Sequence, residues 1–374
     1  MPDFLKGGLI MALEQHGGNI YKASAEYGMD SSQILDYSAN LNPLGMPAQL
    51  KDIFFENIRE AENYPDPDCM ALKEAISSYL DIGTDHIIIG NGASEVLSLL
   101  FNALLPKRVL IAVPTFSEYQ QMAESVQCRV DFFMLHEQEE FRLDMERLIE
   151  SLTPDMDAVI LCNPNNPTST LAAKEELESL LKASAEKKIT VIIDETFIEL
   201  TGGGNSNSVS DLLIHYQNLF IIRAFTKVLA IPGVRLGYGL GNRTLIQKMW
   251  GIKIPWSVNT FACLTAKFLP HLQEYLGQTQ DWLISEKEYF YGQMLGIKGL
   301  KVYKPQTCFV LLKFSSPGMT SKKLRDQMAR HGILVRDASN FLPLNNQFVR
   351  AAIKDRNRNE IFLKTIKNIM EGKI

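Results

Sequence analysis

Ile189-Thr190-Val191-Ile192-Ile193, followed at once by Asp194-Glu195-Thr196-Phe197, is the stretch on which the fold turns. The run is short, apolar and closed by acids, which reads as a buried strand rather than a helix. Working outward, residues 157–162 (DAVILC) and 219–222 (LFII) have the same form. So do 108–113 (RVLIAV), 130–135 (VDFFML) and 234–240 (VRLGYGL). Between two of them, residues 170–186 are rich in Ala, Leu, Glu and Lys, the composition of a helix. Strand–helix–strand alternation predicts an α/β fold, a mostly parallel sheet with helices on both faces.

The last third has a different texture. Residues 272–295 read as one long helix, 300–303 and 309–314 as strands, and 322–331 as a helix closed by Gly332. Residues 348–353 read as a strand and 358–370 as a final helix. The expected organisation is an N-terminal arm, 1–45, contributing to a small domain. A large domain over 46–260 and a small α+β domain over 261–374 follow. The run Gly202-Gly203-Gly204-Asn205-Ser206-Asn207-Ser208 reads as a surface loop.

Bulk properties remove several functions. The 374 residues carry a net charge of −5, 46% hydrophobic and 22% charged residues. Such a chain has material for a large core, so disorder is excluded as the main state. An acidic balance disfavours a partner rich in nucleic-acid phosphate. No stretch approaches the ~18 uncharged apolar residues of a membrane span. Residues 1–18 make a poor signal peptide, and the five scattered cysteines form no Cys-x-x-Cys pair. A cytoplasmic protein with reduced thiols and no metal site is expected.

In open α/β sheets, ligands bind beyond the carboxyl ends of the strands. Four motifs sit there. Gly90-Asn91-Gly92-Ala93-Ser94-Glu95 opens a helix, whose free N–H groups either bind a phosphate or are merely capped. Asn163-Pro164-Asn165-Asn166-Pro167-Thr168 is a rigid turn that can aim an amide. Asp194 is a helix cap or a site carboxylate. Thr226-Lys227, with Arg235 after it, is a solvated surface pair or a reactive amine beside an anion-binding guanidinium. Together they suit one chemistry. A lysine can form a Schiff base with an aldehyde, and a carboxylate can keep a pyridine nitrogen protonated. An Asn can donate to a phenolic oxygen, and an Arg with a helix N-terminus can hold a phosphate.

With its motifs in this order, nearly the whole chain resembles the fold-type I enzymes that depend on pyridoxal phosphate, the aspartate-aminotransferase superfamily. The resemblance implies a seven-stranded, mostly parallel sheet in the large domain. It makes Lys227 the lysine that captures the cofactor aldehyde, Asp194 the partner of the ring nitrogen, and Asn166 the donor to the phenolic oxygen. Ala93, Ser94, Thr226 and Arg235 become phosphate ligands. Phe116 becomes the aromatic stacked on the ring. Tyr64 becomes a residue that reaches the cofactor phosphate of the neighbouring subunit, which implies a homodimer with shared sites.

A narrower resemblance rests on His16-Gly17-Gly18-Asn19, Asp36-Tyr37-Ser38-Ala39-Asn40-Leu41-Asn42-Pro43-Leu44-Gly45, the stretch from Ile333 through Arg336 to Phe341, and Phe348-Val349-Arg350. These are similar to the threonine-phosphate decarboxylases of the cobalamin pathway, relatives of histidinol-phosphate aminotransferases. By that resemblance Arg350 holds the substrate α-carboxylate and Arg336 its phosphate, with His16, Asn40 and Asn166 on the substrate side. The implied reaction is decarboxylation of L-threonine O-3-phosphate, or of L-serine O-phosphate, to an amino-alcohol phosphate. The alternative is a histidinol-phosphate-type aminotransferase. Three departures stand out. Ser169 occupies a position usually held by Gly, Ala224 one where a hydroxyl is common, and Phe197 one that often carries a tyrosine. Phe cannot donate a hydrogen bond.

Overall fold

The computed structural model describes residues 17–316 and 318–374. The chain divides into two compact units. One comprises Leu41–Ser285, the other the residues up to Asn40 together with Glu286–Ile374. The divisions expected from sequence were near residues 45 and 260. The second observed division falls inside the continuous helix Leu272–Leu295.

Leu41–Ser285 contains a seven-stranded sheet. Its strands are β1 (Ile87–Asn91), β2 (Arg108–Val113), β3 (Arg129–Met134), β4 (Ala158–Cys162), β5 (Thr190–Asp194), β6 (Leu219–Ala224) and β7 (Leu236–Leu240). The spatial order is β1-β7-β6-β5-β4-β2-β3. All neighbours are parallel except at β7, which runs antiparallel to both β6 and β1. The short connection after β6 carries no crossover helix long enough to return the chain to a parallel start. Strand signals carry no direction, so the mostly parallel expectation holds with this one exception.

Register explains why these apolar runs are strands. Ile111, Ile160, Ile192 and Phe220 pair in succession across four strands. They share one core with Val96 and Leu100 of helix Gly92–Leu104, Tyr119 and Ala123 of helix Glu118–Ser125, and Ile246 of helix Arg243–Ile252. The alternate residues Leu110, Val159, Val191, Ile193 and Ile221 are buried too, so both faces of the sheet are covered.

In the other unit, β8 (Leu300–Val302), β9 (Phe309–Phe314), β10 (Arg336–Asp337) and β11 (Phe348–Ala352) form an antiparallel sheet in the order β10-β11-β9-β8. The segment Leu35–Asp36 pairs in parallel with Ile333–Leu334. Buried Tyr37 follows it and packs on Phe290 and Phe362, at centroid distances of 6.4 and 4.6 Å. Helix Ile20–Tyr27 is capped by the Asn19 side chain on the Lys22 N–H and ends at Gly28 in a left-handed turn. No described helix is long and apolar enough to cross a membrane.

Candidate active site

The four motifs gather at one edge of the large sheet. Asp194 ends β5, level with Cys162 at the end of β4 and with Ile222 in β6. Because β7 is reversed, its first residue, Leu236, lies opposite Asn91 at the end of β1, and Gly237 lies opposite Ala224. Arg235 therefore enters from the same edge as the helix that begins at Gly92.

This corner has the form of an anion cradle. A Cβ on Gly92 would overlap the Arg235 guanidinium, and Gly92 has φ +77°. A Cβ on Gly237 would collide with the backbone of Gly92 and Ala93. Two glycines thus bring the guanidinium and the strand against the first turn of a 13-residue helix. Ser94 is exposed there and Ala93 half-buried, at the end where a helix leaves its first N–H groups without an internal partner. Arg235 itself is held at φ +58°.

Asp194 is only 7% exposed. Its Oδ2 accepts from the Tyr119 hydroxyl at 2.7 Å and its Oδ1 from the Thr196 N–H at 2.8 Å. Burial raises its pKa, and the Thr196 and Tyr119 hydrogen bonds oppose that rise. Sequence reading assigns Tyr119 no role. The available signal was its spacing of one helical turn from Phe116, whose ring it meets edge-on at 5.7 Å.

The asparagine-rich turn divides its labour. The Asn163 Oδ1 accepts from the Ala172 N–H at 2.8 Å, and the Asn163 N–H donates to the Asp194 carbonyl at 2.8 Å. The Asn165 Nδ2 donates to the Pro114 carbonyl at 2.9 Å, which fixes the loop carrying Phe116. Ser169 is held at φ +62°, a left-handed conformation that Gly would adopt without strain. Phe197 is buried.

Lys227 lies on the single turn Phe225–Val228 directly after β6, with Thr226 buried beside it. Below it is a charged core that sequence reading missed. Fully buried Arg223 donates through Nε and Nη2 to Glu195 Oε2, at 3.0 and 2.9 Å, and through Nη1 to Glu199 Oε1 at 3.2 Å. Tyr64 lies apart in sequence and is 83% exposed, its ring 5.0 Å from that of Trp256.

The second unit holds the other candidate residues. Arg336 and Arg350 are cross-strand partners between β10 and β11, 7% and 6% exposed. The Arg350 Nη2 donates to the Ser38 carbonyl at 2.6 Å. With its amide oxygen turned inward, Asn40 accepts from Arg350 Nε at 3.2 Å and Nη1 at 3.3 Å. Asp36 shapes this turn by accepting from the Ser38 N–H at 2.8 Å. Arg336 donates to Asn340 Oδ1 at 2.7 Å and lies 5.1 Å from the Phe341 ring centroid. Burial, and then Arg336 itself, push the Arg350 guanidinium down to about 9. Burial brings Arg336 to about 10. A cavity of about 100 Å³ adjoins Arg336, lined also by Lys22, Ser38, Arg325 and Asp337. His16 lies outside the described residues.

The family model described as aminotransferase class I and II matches residues 32–366. A Caldanaerobacter subterraneus subsp. tengcongensis protein, provisionally named threonine-phosphate decarboxylase, is 35% identical over 98% of this chain and 97% of its own. The threonine-phosphate decarboxylase of Salmonella typhimurium is 31% identical over 96% of this chain and 97% of its own. The crystal structure of the histidinol-phosphate aminotransferase from Clostridium acetobutylicum superimposes with a TM-score of 0.84 at 36% identity, over 91% of this chain and 100% of that one.

Proposed function

Since the chain belongs to the class I and II aminotransferase family, we propose that it is a pyridoxal-phosphate-dependent decarboxylase of a phosphorylated hydroxy-amino acid. L-threonine O-3-phosphate is the substrate of choice, with 1-aminopropan-2-ol phosphate as product, for the cobalamin nucleotide loop. The observation that carries this reading is the Arg336–Arg350 pair. Two buried guanidiniums one rung apart suit a molecule that bears a carboxylate and a phosphate together. Histidinol phosphate has no carboxylate. The two decarboxylase relatives support the same choice.

The residues present fit the cofactor. The Gly92–Arg235 cradle has the charge and the bare backbone a phosphate needs, and Asp194 is a buried carboxylate held at both oxygens. When bound, pyridoxal phosphate supplies an electron sink for the substrate's α-carbon. The chain's residues do the rest. Arg235, Thr226, Ser94 and the Ala93 N–H hold the phosphate. Asp194 would hold a proton at the ring nitrogen, Asn166 would donate to the phenolic oxygen, and Phe116 would cover the ring. Lys227 would hold the aldehyde carbon, and its amine is the group that would carry a proton to the substrate's α-carbon. Arg350 grips the carboxylate with Asn40 beside it, and Arg336 grips the substrate phosphate.

Exposed Phe55, Ile58, Tyr64, Ile254 and Trp256 support a homodimer in which Tyr64 serves the neighbouring site. Five free cysteines suit the cytoplasm. The resemblance to the Clostridium aminotransferase structure favours a second reading, amino transfer from a phosphorylated amine. Carbon dioxide evolved from L-threonine O-phosphate without any keto acid, and lost in Lys227→Ala, supports decarboxylation. Glutamate formed from histidinol phosphate and 2-oxoglutarate, with no carbon dioxide, overturns it.

A further inference from the structure

The lysine-bearing turn cannot hold itself. Phe225–Val228 is one helical turn, far below the length at which a helix is self-supporting. The residues after it meet the Phe225 and Thr226 carbonyls, through the Leu229 and Ile231 N–H groups at 3.0 and 3.1 Å, and the Lys227 carbonyl only at 3.3 Å, through the Ala230 N–H. The Lys227 and Val228 carbonyls also accept from a residue 185 or more positions away in sequence. The Asn42 N–H donates to the Lys227 carbonyl at 3.0 Å, and the Asn42 Nδ2 to the Val228 carbonyl at 2.8 Å.

Both amide protons of Asn42 are committed at this junction. The Nδ2 also donates to Thr279 Oγ1 at 2.8 Å, and the Oδ1 accepts from the Leu44 N–H at 3.0 Å. Thr279 in turn donates to the Tyr275 carbonyl at 2.8 Å, and the Tyr275 hydroxyl donates to the Gly45 carbonyl at 2.5 Å. Residues 42–45 are thus bolted to helix Leu272–Leu295, and Asn42 passes that rigidity to the turn. Asn42 is 2% exposed, so no water competes for these bonds.

We propose that Asn42 is a positioning residue for Lys227, acting as a remote C-terminal cap that fixes the backbone from which the reactive amine projects. The inference rests on the cofactor half of the function proposed above and not on the choice of substrate. A loose turn leaves the amine sampling unproductive directions, which slows its capture of an aldehyde without touching substrate affinity.

The test compares Asn42→Asp with Thr279→Val. Asn42→Asp removes both amide donors and keeps the acceptor for Leu44. Thr279→Val unpins Asn42 from the helix and keeps its bond to Val228. Pyridoxal phosphate is added to cofactor-free protein, and growth of the lysine-bound absorbance band is timed alongside melting temperature. Asn42→Asp is expected to slow capture about tenfold and to lower kcat with KM unchanged, as expected for lost hydrogen bonds. Thr279→Val is expected to capture within about twofold of wild type at a similar melting loss. Equal slowing in the two variants, or wild-type capture by Asn42→Asp, overturns the proposal. Should Asn42→Asp fail to fold, Asn42→Ser, with one short donor, is expected to capture at an intermediate rate, and wild-type capture overturns the proposal. Normal capture by the wild type with no carbon dioxide evolved overturns the decarboxylase reading alone. No band in wild type overturns the cofactor assignment and this inference together.

Discussion

Arg336 and Arg350 face each other across one rung of an antiparallel ladder, both buried. Like charges directly opposed on a sheet are destabilising, and burial adds desolvation. On the proposed reading, the carboxylate and phosphate of the substrate supply the counter-charge. The sign of the titration agrees. Both guanidiniums are lowered from their ordinary value, so the penalty is fully present at neutral pH and fades only above about 9.

Removing one member separates ligand binding from stability. Arg336→Gln is expected to raise KM for the phosphorylated substrate about 10- to 100-fold, the loss of a charge-assisted contact of ~1.5–3 kcal/mol. The melting temperature of ligand-free protein is expected to hold or rise. Steady-state kinetics and thermal unfolding check both, and a lowered melting temperature with unchanged KM contradicts the assignment.

Tyr119 tunes Asp194. The Tyr119 hydrogen bond holds the carboxyl pKa down against burial, so Tyr119→Phe raises it further. The charged form is lost as pH falls through the folded pKa. The acid limb of the kcat/KM profile is therefore expected to move to higher pH, with activity recovering at alkaline pH. A uniform loss at every pH would mean that Tyr119 only packs.

The cradle at Gly92 tolerates no side chain. Gly92→Ala places a Cβ in the Arg235 guanidinium at φ +77°, and such strain costs about 1–3 kcal/mol. Cofactor affinity, measured by spectroscopic titration, is expected to fall about tenfold or more with the displaced guanidinium. Undiminished affinity would place the cofactor phosphate elsewhere.

Arg223 neutralises a buried acidic pair. Arg223→Met strands Glu195 and Glu199, and breaking a buried pair in this way costs about 3–5 kcal/mol. Burial already raises the Glu199 pKa, and Arg223 pulls it down. Without Arg223 the folded state binds protons more tightly than the unfolded state, so the variant gains stability as pH falls from 7 towards 5. Melting curves across that range check the sign relative to wild type.

The sequence carried elements whose signal is local. Residues 108–113, 272–295 and 309–314 have the same ends in the structure, because an unbroken apolar run or helical period marks them. The run at 219 stops at Ile222 in sequence, since Arg223 breaks it. The strand continues to Ala224 because Glu195 and Glu199 match that charge in three dimensions. The reversed direction of β7 has no sequence signature. In the candidate site, the places of Asp194, Asn166 and Lys227 at or just beyond strand ends were legible, because apolar runs mark where strands stop; their proposed roles rest on resemblance. Tyr119 and Asn42 were not, because their partners lie 75 and 186 residues away.

The most direct measurement is release of labelled carbon dioxide from carboxyl-labelled L-threonine O-phosphate by cofactor-loaded protein, with no keto acid present. The account predicts sustained release in stoichiometric balance with 1-aminopropan-2-ol phosphate, at a rate that collapses in Arg350→Gln. Retention of the label, with glutamate appearing only when histidinol phosphate and 2-oxoglutarate are supplied, would contradict it.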